Sequence, residues 1–558
     1  MNLPKRTVYA SLLALVCANI LVRFPTSYHE TGVDSFFVHN LATAISDQGR
    51  IAYVVNPLGY FGWYPLSYPS ASPLLISGLA QTSGLSEEGA ILALSIFYGV
   101  FGALAAFVMA RAFRKDDAFA LLAAMLFSLA PRFISFTLWT ASARSLFMLL
   151  VPVFVWLLVR AYLRPNPANL AFLTSLLAVL IATHRLTILL AVVVIAFVAA
   201  YVFLLMNRVM RIRFPRVLLS KHVRTWTPVL ALLGILAIAA YMVVGTHVLG
   251  EYATGEVCAG TSFGNEVCNL GVSVTRSVGL ALPFGLLGVV EVVRQNRKGF
   301  LEAFLVFSLL ALLPTLFLRQ YTGFYILPFI SLFGAYGILA LIRILPRHRI
   351  ARNALIVASV LAINGFSLAV LQVEVERQTV ITSATYSAGL YMKSLPPGNF
   401  VGNEGLMAVR VSAVSGRQAL PVGGSGTTSQ SPEVLIMGAY NATELFGKER
   451  RIPLTSLTIE DDSPFYLVSL DARHDWIYYV MRRSVDSVPS VSIEGVSIFD
   501  RYHLQYYLES DSIPNGYSAF GNSYGNGVEV VFTNSVHAER FKVFDGSVEN
   551  IYLVFPPS

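Results

Sequence analysis

The sequence predicts a polytopic α-helical membrane protein with an extracytoplasmic C-terminal domain that is α+β or mostly β. Three observations carry this prediction. Of 558 residues, 55% are hydrophobic and 13% are charged, against roughly a quarter charged in an ordinary soluble domain. Long apolar runs such as Gly89 to Phe113 and Trp226 to His247 reach the ~20 residues that a helix needs to cross about 30 Å of hydrocarbon. After Val373 these runs stop, and stretches such as "FYLVSL", "WIYYVM" and "GVEVVF" read as strands.

Apolar periodicity places about eleven spans: 7–23, 89–111, 117–134, 144–163, 168–184, 186–206, 226–248, 273–293, 300–318, 321–342 and 353–373. Residues 1–375 then form the membrane part and residues 376–558 a soluble domain, a segment long enough to bury its own core. Met1 to Phe24 has the basic start of a signal peptide, but no small-x-small cleavage site follows, so it reads as an uncleaved first span.

The formal charge is +8, and its distribution matters more than its size. Basic clusters fall at Lys5-Arg6, Arg111 to Lys115, Arg160 to Arg164, Arg208 to Arg224, Arg294 to Lys298 and Arg343 to Arg352, in every second connection. This is the positive-inside pattern. It places the N-terminus in the cytoplasm and the C-terminal domain on the opposite side of the membrane, and it explains the basic residues without nucleic acid as a partner. Cys258 and Cys268 share an outer loop, where an oxidising compartment permits a disulfide between them; two free thiols are the alternative.

The first outer loop, residues 24–88, is too long to be a plain connector. Val33, Phe37, Leu41 and Ile45 recur every four residues ahead of the polar run from Ser46 to Arg50, which predicts an amphipathic helix on the membrane surface. Asp34 stands at its start. Thr31-x-x-Asp34 fits a capping box, in which the carboxylate only satisfies backbone N–H groups; the alternative is a catalytic carboxylate at the water–headgroup boundary. His29 and Glu30 lie close by as candidates for a metal ligand or a second acid–base group, although their spacing matches no metal motif; solvated loop residues are the alternative.

His184-Arg185 in "LIATHRLTILL" and Arg319 in "FLRQYTGFYILPF" are ionisable groups between apolar runs, a pattern that marks function at membrane depth. The topology puts them at the outer headgroup layer, where Arg can bind a ligand phosphate bidentately; snorkelling to lipid phosphates with no specific ligand is the alternative. Arg132 and Arg144 flank another outer joint.

These features resemble the GT-C class of integral-membrane glycosyltransferases. The shared elements are an acid directly after the first span (Asp34), an amphipathic helix in a long first outer loop, and a late Arg319-Gln320-Tyr321 joint entering the Pro-containing "ILPFISLFGAYGIL". Gly32, Asp34, Phe37 and His39 are similar to the Gly-x-Asp, aromatic and His of the archaeal and bacterial oligosaccharyltransferase catalytic subunit. The resemblance implies a polyprenyl-phosphate sugar as donor, Asp34 as catalytic residue, and a substrate-binding set of His29, Glu30, His39, Arg144, His184, Arg185, Arg319 and Tyr321. It also implies a glycan, lipid or protein acceptor at the outer face of the bilayer, and raises a divalent metal such as Mg or Mn as cofactor. Two elements depart from it. "NEGLMAV" stands where those enzymes carry a Trp-Trp-Asp-Tyr-Gly motif, and "SFTLWTASARS" lacks an acidic pair that completes a metal site, a gap that Glu251, Glu256 and Glu266 are candidates to fill. The expected function is therefore sugar transfer. Oligosaccharyltransferase-like glycan transfer to protein, or a non-catalytic transporter or scaffold, are the alternatives.

Overall fold

The computed structural model describes residues 4–25, 27–49, 71–210, 274, 277–279, 281–295, 299–314, 322–344, 365, 383–394, 399–402, 405–416 and 419–421, and beyond these only strand segments. The chain divides into two compact units: Met1–Thr26 with Leu92–Gln378, and Ser27–Ile91 with Thr379–Ser558.

The first unit is helical. Its elements are α1 (Lys5–Arg23), α4 (Glu87–Phe113, entering from the second unit), α5 (Asp117–Ser128), α6 (Pro131–Thr137), α7 (Ala143–Leu163), α8 (Pro167–Thr183), a 3-10 turn Arg185–Leu189, α9 (Leu190–Met210), α10 (Ala281–Arg294), α11 (Phe300–Leu312) and α12 (Thr322–Ile344). Polar caps set several boundaries: Asp116 accepts from Ala118 and Phe119 N–H groups, and Asn166 accepts from Asn169 N–H just before Pro167. Both use the oxygen of a short side chain to satisfy a helix start.

Among the described residues five helices are long and apolar enough to cross a membrane, and up to six if the α5–α6 pair, bent by 57°, is one span. The expected span 117–134 is therefore broken, because the X-Pro bond before Pro131 disfavours helical backbone at Ala130, which is extended at ψ 140°. α8 and α11 are shorter apolar helices. The expected span 226–248 lies outside the described residues, as does 353–373 except for residue 365. The core is aromatic: Phe119, Phe127, Phe133, Phe147, Phe304, Phe329 and Phe333 are fully buried. It is built where α12 packs on α5 and α10, α7 on α8, and α9 on α11.

The second unit joins α2 (Val33–Gln48) and α3 (Ala71–Ser83) to α13 (Ser383–Ser394), α14 (Gly405–Ser415) and strands. β1 (Asn399–Gly402), β2 (Ala419–Pro421), β3 (Leu504–Ser510), β4 (Arg540–Asp545) and β5 (Glu549–Val554) form a sheet of order β4-β5-β3-β1-β2. β1 runs parallel to β2 and β3, so α14 is the crossover that returns the chain from β1 to β2. β5 is antiparallel to β3 and β4.

α2 packs on α3 and α14. Ser35, Phe36, Val38, His39, Asn40, Leu41, Ala42, Thr43 and Ile45 are all buried, a run that covers every side of the helix. The helix predicted after Gly32 is present. Its described side chains are packed inside this unit, where the periodicity alone had suggested one apolar and one polar face.

Candidate functional site

The segment that carries Asp34 is shaped by Gly32. Gly32 is the N-cap of α2 with φ 95° and ψ 141°, a backbone that a side chain strongly disfavours. Its carbonyl accepts from Ser35 N–H at 3.2 Å. Thr31 therefore sits one residue before the cap, buried, and its hydroxyl has no partner among the described residues. A capping box needs its Ser or Thr at the N-cap and its acid three residues on. Here Gly32 holds the first place and Ser35 the second, so the spacing is not realised, and Asp34 is the second residue of the helix.

Around Asp34 the structure brings together three of the residues singled out in the sequence. Glu30, 2% exposed, accepts from Ser35 Oγ on Oε2 at 2.6 Å and meets His39 Nδ1 through Oε1 at 2.5 Å. Its backbone N–H donates to Glu88 Oε1 at 3.0 Å. The same oxygen lies 3.1 Å from His29 Nδ1, and the His29 ring stacks on Tyr386 of α13 with centroids 3.7 Å apart.

Burial by itself pushes the His39 imidazole down, but the adjacent Glu30 charge and hydrogen bond, with Glu87 and Glu88 beyond, leave it raised above its ordinary value. The Tyr386 phenol is raised, first by burial and then by the Glu88 charge. Sequence reasoning missed Glu88 and Tyr386. The pair Glu87-Glu88 at the head of an apolar run was a legible signal; Tyr386, in "SATYSAG", had none. Among the described residues no group of three His, Cys, Asp or Glu side chains is placed to hold a metal ion, and the Glu30 carboxylate is already committed to Ser35 and His39. The described residues alone do not make up a site for a divalent cation; Glu251, Glu256 and Glu266 lie outside them.

The basic candidates lie in the first unit. Arg144 is the second residue of α7, where Ser142 caps the helix by accepting its N–H at 3.2 Å. Its guanidinium carbon lies 5.3 Å from the centre of the Phe136 ring, and that of Arg132 lies 5.1 Å from the same ring. Three residues along α7, and so on the same helical face, Phe147 meets the His184 imidazole at 5.7 Å and the Tyr325 ring at 5.8 Å between centroids. His184 ends α8 and accepts from Thr187 at its carbonyl, and Arg185 opens the 3-10 turn into α9. The ring contacts thus join the His184-Arg185 corner, the start of α7 and the first turn of α12. Arg319 and Tyr321, which precede α12, lie outside the described residues, as do Cys258 and Cys268.

No family model and no curated protein sequence matches the chain. Solved structures do. An oligosaccharyltransferase of Archaeoglobus fulgidus in complex with Zn and sulfate matches at a TM-score of 0.50 and 14% identity, over 73% of this chain and 62% of that one. The same enzyme with an inhibitory peptide and a dolichol-phosphate matches at 0.51 and 13% identity, over 91% and 69%. Its apo form matches at 0.53 and 11%, over 90% and 69%. The chain spans 62 to 69% of the length of these structures. At such identities the likeness is one of fold, and together with the apolar helices it makes this chain a multi-pass membrane protein built on the fold of an oligosaccharyltransferase, as the GT-C resemblance in its sequence implied.

Proposed function

We propose that this protein is a membrane glycosyltransferase that moves a sugar, with inversion, from a polyprenyl-phosphate-linked donor to an acceptor on the outer face of the membrane. The observation that carries the reading is the place of Asp34. It is the second residue of α2, outside the capping-box position that gave it a purely structural explanation. The Archaeoglobus oligosaccharyltransferase was captured with a dolichol-phosphate, which supports a lipid-linked donor here.

In this reading the Asp34 carboxylate takes the proton of an acceptor hydroxyl as its oxygen attacks the anomeric carbon. The bond from that carbon to the carrier phosphate breaks on the opposite face, and the phosphate leaves with the electron pair. Arg319, Arg185 and His184 stabilise the charge that grows on it, and Arg144 and Tyr321 contribute to binding. The chain crosses the bilayer about eleven times, with residues 1–375 as the membrane part, its N-terminus cytoplasmic, residues 376–558 extracytoplasmic, and a Cys258–Cys268 disulfide outside.

A second reading, transfer of a preassembled glycan to protein, is favoured by the oligosaccharyltransferase fold. The segment at the place of the family's Trp-Trp-Asp-Tyr-Gly motif argues against it, since Gly405 to Val409 form the start of α14 and supply none of those side chains.

The test is transfer from a radiolabelled pool of polyprenyl-phosphate sugars in membranes that contain wild-type or Asp34→Asn protein, with a chelator in parallel. Transfer lost in Asp34→Asn at equal expression supports the reading; transfer intact in folded Asp34→Asn overturns it. The chelator arm decides whether a divalent cation is needed.

A further inference from the structure

Three bonds meet at Glu30, and together they bracket Asp34. One carboxylate oxygen holds Ser35, the residue after Asp34, at 2.6 Å. The other holds His39, one turn further along α2, at 2.5 Å. The backbone N–H is fixed to Glu88 at 3.0 Å. Between Glu30 and the helix stands the positive-φ hinge at Gly32. On the side of α14, Ser412 Oγ donates to Asn40 Oδ1 at 2.9 Å and the Arg410 guanidinium carbon lies 5.7 Å from the Phe36 ring centre. Glu30 and His39 are 2% and 7% exposed, too enclosed and too fully engaged with one another to reach a substrate.

We infer that Glu30 and His39 are positioning residues: their buried contact locks the hinge at Gly32 and so fixes the start of α2, and the lock is strong while His39 is protonated and loosens when it is not. For catalysis this rests on the role proposed for Asp34; as a statement about the segment it stands alone.

The sign follows from the charges around His39. Glu30 and His29 belong to the preceding loop, Glu87 and Glu88 to the start of α4, Arg410 to α14 and Asp34 and Asp47 to α2 itself, while α3 carries no charged residue. Burial opposes the imidazolium, Glu30, Glu87 and Glu88 favour it, and the balance raises its pKa above the ordinary 6.5. A raised folded-state value means that the stabilisation is fully present below about pH 6.5 and is lost as pH climbs through the raised value. Deprotonation removes the charge of the imidazolium but leaves an imidazole N–H able to donate to the Glu30 carboxylate, a bond still assisted by the charge of its acceptor, so the loss weakens the contact without abolishing it.

The test is hydrogen exchange of peptides covering residues 27–41 in the full-length, membrane-reconstituted protein between about pH 6 and pH 9, corrected for intrinsic rates, in wild type, His39→Gln and Glu30→Gln. Wild-type amides at the start of α2 are expected to lose protection on the alkaline side, by up to roughly tenfold for each unit by which His39 is raised. In His39→Gln, which keeps a hydrogen-bonding side chain that does not titrate, that pH dependence vanishes. Glu30→Gln exchanges fast throughout. Sugar transfer in the same preparations, from radiolabelled polyprenyl-phosphate sugars, is expected to lose its alkaline decline in His39→Gln. Wild-type protection that is flat in pH, or an unchanged alkaline loss in His39→Gln, overturns the lock. Should no preparation transfer sugar, the role of Asp34 fails, and the exchange data alone still decide the lock.

Discussion

The His184 imidazole and the Phe147 ring lie 5.7 Å apart between centroids, tilted by 46°, and the Phe147 ring also meets that of Tyr325 at 5.8 Å. Phe147 is fully buried and stands as a spacer in ring contact with both the end of α8 and the first turn of α12. Truncation to Ala removes that spacer. The expected cost is about 3–5 kcal/mol of stability, with transfer reduced further than stability alone accounts for, because the His184-Arg185 corner loses its support. Thermal melting in detergent and transfer at low temperature measure the two effects. A Phe147→Ala protein that melts with wild type removes this residue from the argument.

The limits of sequence reading show at particular residues. The helix after Gly32 was legible because Val33, Phe37, Leu41 and Ile45 keep a helical spacing, and it runs over Val33–Gln48. Its cap was not legible: Thr31-x-x-Asp34 spacing left a capping box open as one of two readings, because spacing carries no information on the φ of 95° that puts the N-cap at Gly32. Five of the expected spans, 7–23, 89–111, 144–163, 186–206 and 321–342, were legible from hydropathy and coincide with helices long and apolar enough to cross a membrane, and Pro131 marked the break that the single span 117–134 passed over. The companion of α2 was not legible: Asn40 and Ser412 are 372 residues apart, and no local pattern encodes such a pairing. The Glu30–His39 contact was half visible, as two polar residues near Asp34, while their burial against one another depends on the packing of α2 on α3 and α14.

Arg23, the last residue of α1, is fully buried. Its Nε donates to Thr137 Oγ1 at 2.8 Å, Nη1 to Asn19 Oδ1 at 2.8 Å and Nη2 to Ser128 O at 3.2 Å, and its guanidinium carbon lies 5.3 Å from the Phe133 ring centre. The partners are all neutral. Ser128 ends α5 just before the bend into α6, so its carbonyl has lost the continuing helix and Arg23 supplies the donor. Each buried acceptor stranded by Arg23→Ala costs about 1–3 kcal/mol. Arg23→Lys is expected to fall well short of rescue, since one ammonium cannot reproduce the planar fork. Melting temperatures of the two variants check this, and a Lys variant equal to wild type would show that charge, not geometry, is what the bend requires.

The same corner makes a demand on α4. A Cβ placed on Gly99 would lie 2.3 Å from Arg23 Nε, under any real contact distance, so Gly99→Ala has to displace the guanidinium and break part of the network that it holds. The expected loss is about 1–3 kcal/mol, and combination with Arg23→Ala is expected to cost less than the sum, because the displaced group is then already gone. A double-mutant melting series reads that coupling; strict additivity is the result that separates Gly99 from Arg23.

Among the described residues, α10 and α12 of the first unit approach each other closely at two glycines. A Cβ built on Gly288 would fall 1.7 Å from the Phe333 carbonyl oxygen, and one on Gly337 would fall 2.0 Å from that of Phe284. Both obstacles are backbone, so no rotamer change relieves them, and the helices must part to admit even a methyl group. Gly288→Ala and Gly337→Ala are each expected to destabilise by about 1–3 kcal/mol or more, despite the better helix propensity of Ala. Gly78 of α3 is the control, since a Cβ there meets nothing within 4 Å. Gly78→Ala is expected to gain roughly 0.5–1 kcal/mol from propensity alone. Melting of the three variants in one detergent decides the point: a rise at Gly78 with losses at Gly288 and Gly337 fits backbone-on-backbone packing, whereas a rise at all three would mean that α10 and α12 do not approach this closely in the membrane.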